Sequence, residues 1–163
     1  MVATTNSPEI FNCYIEPWNH KMYDFDFSHI KKKAVEKIYV KTFHSEDLNS
    51  EPAEIIDYIV GDSTDLLKGN AKLIVNSNEV IYGLVGWFEA ELADGIWLST
   101  SPISGPTHWE QVFMPFENPI NVKETTELSI RLDISSSQND NKILFTWRIS
   151  GSDDLQLESK AIV

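Results

Sequence analysis

A chain of 163 residues, 42% apolar and 23% charged, has the size and composition of one globular domain that buries about 70% of its unfolded surface. Its formal charge of −12, from 25 acidic and 13 basic residues, disfavours nucleic acid and anionic membranes as partners and favours basic ones. No apolar run approaches the ~20 residues of a membrane span, and the single cysteine, Cys13, excludes an internal disulfide or a cysteine-based metal site, so a cytoplasmic setting is the expectation.

Residues 1–8 read as a flexible leader, and residues 9–163 as a single β domain. Residues 10–15, from Ile10 to Ile15, alternate like a short strand that Pro17 stops. Trp18, Met22, Tyr23, Phe25 and Phe27 then crowd together. Ser28 is placed to N-cap a helix through residues 30–38, with Ile30, Ala34, Val35 and Ile38 on one stripe. Together they suggest a helical insertion over about 18–48 that packs on a partner.

From residue 50 the pattern turns to β. Residues 55–60 read as a strand and residues 62–70 as a loop. Residues 72–75 and 80–92 read as a hairpin around Asn76, Ser77 and Asn78, with Gly83 and Gly86 marking a bulge or a close approach. Asp94 and Gly95 predict a second hairpin turn. Leu128, Ile130, Leu132 and Ile134 alternate with polar residues, and Ile143, Phe145, Trp147 and Ile149 supply the inward face of a partner strand. Short strands joined by turns, with one clear helix, predict a mainly β fold, a barrel or sandwich of antiparallel strands.

Motif chemistry is sparse. No glycine-rich phosphate loop and no nucleophile elbow is present, and the four histidines (His20, His29, His44, His108) lack metal-ligand spacing, so neither cofactor nor metal is expected in this chain. Two prolines and a glycine lead to Thr107, His108 and Trp109 between two strands. That histidine and tryptophan fit either a packed rim or a functional loop.

Residues 99–113, with Ser99, Thr100, Ser101 and Pro102 ahead of Thr107, His108 and Trp109, resemble the Thr-His-Trp loop of the protein arginine methyltransferases. Upstream, Trp18, Tyr23, Phe25, Phe27 and Ile30 resemble the start of that family's dimerisation arm. Ser50, Glu51 and Pro52 fall where the arm returns to the barrel. Asp24 stands where glycine is usual and Glu110 where a basic residue is common, which marks a divergent member.

The resemblance implies the C-terminal β-barrel of an S-adenosylmethionine-dependent enzyme, without its cofactor-binding Rossmann domain. His108, Trp109 and Thr107 would then be half of an arginine pocket, and the arm aromatics would dimerise the enzyme against a second subunit's Rossmann domain. Its substrate would be a basic, Arg-containing protein or small molecule. The isolated chain would be inactive. The alternative is a free-standing β-sandwich binding carbohydrate or protein through Trp18, Trp87, Trp97, Trp109 or Trp147.

Overall fold

The computed structural model describes residues 1–21, 24–62, 64–76, 78–105, 107–122, 125–137, 142–151 and 155–163. Among these residues ten strands, two helices and two short 3-10 turns follow one another: β1 (Val2–Thr5), α1 (Pro8–Tyr14), α2 (Ser28–Val35), β2 (Tyr39–Lys41), β3 (Leu66–Val75), β4 (Val80–Gly86), β5 (Glu89–Ala93), β6 (Ile96–Ser99), β7 (Gln111–Asn121), β8 (Thr126–Ser137), β9 (Lys142–Gly151) and β10 (Gln156–Ile162), with the 3-10 turns at Glu16–Asn19 and Ser45–Asp47. The first sheet has strand order β1-β4-β7-β2, the second β10-β9-β8-β3, and β5 pairs with β6 alone. All these pairs are antiparallel. The fold class is the mainly antiparallel β architecture that the turn spacing predicts.

The two four-stranded sheets meet in one core. Ile81, Leu84, Met114 and Phe116 of the first sheet pack with Leu73, Leu128, Ile130, Trp147 and Ile149 of the second. The opposite face of the first sheet is covered too, because Phe11 and Ile15, together with Ala34 and Val35, pack on Ala3, Val85 and Phe113. A sheet covered on both faces loses the alternation that marks a half-wet strand. Accordingly β1 is buried at all four positions, and β4 at Ile81 and from Gly83 to Gly86.

That double covering explains most departures from the sequence pattern. The expected leader contains β1, which pairs with β4 from Val2 with Gly86 to Thr5 with Gly83. Thr5 Oγ1 donates to the Asp47 carbonyl at 2.6 Å, and the Thr4 amide donates to Ser50 Oγ at 3.0 Å. The expected strand at 10–15 is helix α1. Pro8 begins it directly after Ser7, Glu9 lies in its first turn, and Phe11 and Ile15, one turn apart, are fully buried.

The second helix begins at Ser28 and ends at Val35, with Asp26 Oδ1 accepting from the Ser28 amide at 2.9 Å. The N-cap position is Phe27, with no side-chain cap bond, so the serine expected to cap is instead the first helical residue. Residues 55–60 form no strand; Ile55 is buried while Val60 is 92% exposed. β3 starts within the expected loop, at Leu66. It pairs with β8, and β4 pairs with β1 and β7, so the expected hairpin around residues 76–78 is a crossing between sheets.

Other features follow the pattern. The register of β4 on β7 shifts between Ile81 and Gly83, and Gly83 lies opposite Pro115, whose missing N–H the irregularity accommodates. Gly95, at φ 72°, turns β5 into β6. Leu132 faces Trp147 and Ile130 faces Ile149 across β8 and β9.

Candidate functional site

The loop between β6 and β7 is knitted at its base before it reaches solvent. Thr100 is 1% exposed; its amide donates to the Phe88 carbonyl at 3.1 Å, and its Oγ1 accepts from the Phe88 amide at 3.2 Å. Gln111, 6% exposed at the start of β7, donates through Nε2 to the Thr100 carbonyl at 2.8 Å. The same side chain accepts through Oε1 from the Phe43 amide at 2.8 Å. One buried amide thus ties the loop's entry, its exit and the segment after β2. Ser101 Oγ accepts from the Ile103 amide, and the Ser101 carbonyl from the Ser104 amide, closing the turn after Pro102.

Above this base the side chains open outward. Thr107 Oγ1 donates to the Trp109 carbonyl at 2.7 Å and holds the tip. His108 is exposed, and its ring lies 6.4 Å from that of Trp109. Trp109 is 52% exposed and meets Phe88 edge-on at 6.2 Å between centroids. Beside it the β5–β6 hairpin leaves Leu92, Ile96 and Trp97 between 59% and 65% exposed. Next to His108, Trp109 and the 44%-exposed Phe88 thus present a pair of aromatic rings to solvent. Glu110 turns away from it and accepts from Thr42 Oγ1 at 3.0 Å.

The arm residues gather elsewhere. Trp18 Nε1 donates to the Tyr14 carbonyl at 2.8 Å, and its ring meets Phe27 at 6.3 Å; Phe27 meets Phe25 at 6.5 Å. Phe25 is 67% and Ile30 39% exposed. Tyr23 lies outside the described residues. Asp24 has φ 63°, in the left-handed region that glycine enters without steric cost, so the backbone there has the form a glycine suits. Not all of residues 18–48 stand apart from the sheets: β2 pairs with β7, and Phe43 is 2% exposed. Of the tryptophans weighed as a ligand platform, Trp87 and Trp147 are buried.

Among the described residues no group of three or more His, Cys, Asp or Glu is placed to hold a metal, and no helix is long and apolar enough to cross a membrane. Among the described residues every strand pair is antiparallel, so none belongs to a parallel βαβ unit. Gln111 and Phe88 were not visible as site residues in the sequence. The one local hint is that a glutamine opens the otherwise apolar run through Phe116.

Comparison with known proteins decides the family. Residues 4–152 match the family described as the arginine methyltransferase oligomerization subdomain. The chain belongs to this family. Protein arginine N-methyltransferase 1.1 of Arabidopsis thaliana is 28% identical over 130 residues, which is 76% of this chain and 33% of that protein. Protein arginine N-methyltransferase 1 of Dictyostelium discoideum is 27% identical over 146 residues, 84% of this chain and 42% of that protein. An arginine N(omega)-methyltransferase of Streptomyces achromogenes is 30% identical over 103 residues, 62% of this chain and 26% of that protein.

Among solved structures, the Trypanosoma brucei PRMT1 enzyme-prozyme heterotetrameric complex with AdoHcy superposes with a TM-score of 0.89 at 15% identity. It matches 99% of this chain and 54% of that chain, and shows the fold. The arginine methyltransferase subdomain thus spans between a quarter and about half of the relatives it matches.

Proposed function

We propose that this subdomain is the barrel half of an arginine-methyltransferase-like enzyme. A cofactor-binding half, on the same polypeptide or a partner subunit, would supply S-adenosylmethionine, the methyl donor. The observation that carries this reading is the anchored loop: in a chain matched over residues 4–152 to the oligomerization subdomain, His108 and Trp109 stand exposed on a base fixed by Gln111.

Each residue then has a physical task. His108 presents an imidazole that hydrogen-bonds a carboxylate of the cofactor-binding half and orients it toward the guanidinium. Trp109 offers a flat ring face for cation–π contact with that guanidinium. Thr107 keeps the tip in place through the Trp109 carbonyl. Phe88 and the β5–β6 hairpin supply apolar surface against which the other half packs. Trp18, Tyr23, Phe25, Phe27 and Ile30 serve a homodimer contact, and the acidic surface favours approach of arginine-containing substrates.

Isothermal titration of this chain alone with S-adenosylmethionine tests the division of labour. The expected result is no micromolar binding. Micromolar binding by this chain alone overturns the half-site reading.

A further inference from the structure

Charge on this chain is sharply segregated, and the segregation follows from strand register. In the second sheet, Leu73, Leu128, Ile130, Trp147 and Ile149 point into the core, so the intervening residues share the outer face. That face carries Lys68, Lys72, Arg131, Lys142, Arg148 and Lys160 against Glu127, Asp133 and Glu158. These are six of the chain's 13 basic residues and three of its 25 acidic ones, which makes the strands of this face +3 in a chain whose formal charge is −12.

The cations are also arranged. Arg131 and Arg148 lie directly opposite each other on β8 and β9, a pairing that costs free energy unless something bridges the two. Asp133, 18% exposed, does so: Arg131 Nε donates to it at 3.2 Å and Arg148 Nη1 at 3.3 Å, while Arg148 Nη2 donates to Glu158 at 3.0 Å. The bridge fixes two guanidiniums side by side. These bonds use two of the five N–H donors on each, Arg131 also giving Nη2 to Asp133. The pair lies in an open trough of about 790 Å³, with Lys72 along it and the row of Lys68 and Lys160 beyond.

We propose that this trough docks an acidic polypeptide segment in extended conformation. Rows two residues apart on a strand are separated by about 6.7 Å, the spacing of same-side residues in an extended peptide. An Asp or Glu at every second position therefore meets successive cationic rows, and the two fixed guanidiniums offer forked donors to one carboxylate. A long polyanion such as nucleic acid fits less well, because it runs off a +3 face onto the rest of a chain whose net charge is −12. This inference does not rest on the methyltransferase reading, whose substrates are basic.

The test is fluorescence anisotropy of the whole chain with a labelled peptide alternating Glu and Ser, at low and high salt. Expected is micromolar binding at low salt, weakened about tenfold by R131Q/R148Q and about fivefold by K68A/K160A, and unchanged by K21A/K41A, Lys41 lying over Tyr14 beside the first sheet. The lysine pair keeps the test readable if removing both of Asp133's arginines disturbs folding. The proposal is overturned if the wild-type chain does not bind, if K21A/K41A weakens binding as much as the face variants, or if a single-stranded oligothymidine binds more tightly than the peptide.

Discussion

Gln111 Nε2 and the Thr100 carbonyl, eleven residues apart in sequence, meet at 2.8 Å beneath the loop that carries His108 and Trp109. Because Gln111 also accepts from the Phe43 amide, one side chain satisfies two buried backbone groups. Replacing Gln111 with Leu strands both, which costs about 2–4 kcal/mol of stability. Urea unfolding measures it; a loss below about 0.5 kcal/mol contradicts the anchoring role.

Two glycines mark where backbone meets neighbour so closely that a methyl group does not fit. A Cβ on Gly69 overlaps the Ile55 carbonyl, and one on Gly83 comes within 2.5 Å of both Phe113 Cε2 and the Met114 carbonyl. Gly69→Ala and Gly83→Ala are each expected to destabilise by about 2 kcal/mol or more. Gly95→Ala meets open space and suffers only from its positive φ, so about 1 kcal/mol is expected. Equal melting temperatures for all three variants contradict this packing.

Glu158 reports on the cationic face through its own titration. Its hydrogen bond from Arg148 holds the carboxyl below the usual glutamate range. The native state then binds fewer protons than the unfolded one, so the contribution to stability is present above the unfolded pKa and is lost as pH falls through the folded pKa. NMR titration of Glu158 in the R148Q variant is expected to show its midpoint rising toward the ordinary value. An unchanged midpoint separates the two side chains in solution.

Trp97 and Trp109 are exposed in the chain by itself, so their removal leaves folding largely intact. W97S and W109A are each expected to change stability by less than about 1 kcal/mol. In hydrogen exchange, adding the cofactor-binding half of a relative is expected to protect residues 88–99 of the wild-type chain and to protect them less in W97S. Equal exchange with and without that half contradicts docking at the hairpin.

How much of this was legible in the sequence depended on how each strand meets solvent. Strands β8 and β9 have one wet face, and Leu128 to Ile134 and Phe145 to Ile149 alternate in writing as they do in space. Strands β1 and β4 are covered on both sides, one by helices and one by the second sheet, so Val2, Ala3, Thr4 and Thr5 carry no period to read. Helix α1 reads as a strand in the sequence because seven residues are too few to separate the two periods; Pro8 is the better signal. At the site, the exposed His108 and Trp109 drew attention through the family resemblance of their loop. Gln111 did not, because a buried amide bridging Thr100 and Phe43 is a product of tertiary contact alone.

Central to the proposed function is the role of His108 in an arginine pocket completed by another half. It is tested most directly by methyl transfer from labelled S-adenosylmethionine to an arginine peptide, using this chain united with a cofactor-binding half and comparing wild type with His108→Ala. The predicted result is a fall of about a hundredfold in turnover, with the melting temperature of the barrel unchanged. Turnover within about twofold of wild type contradicts it.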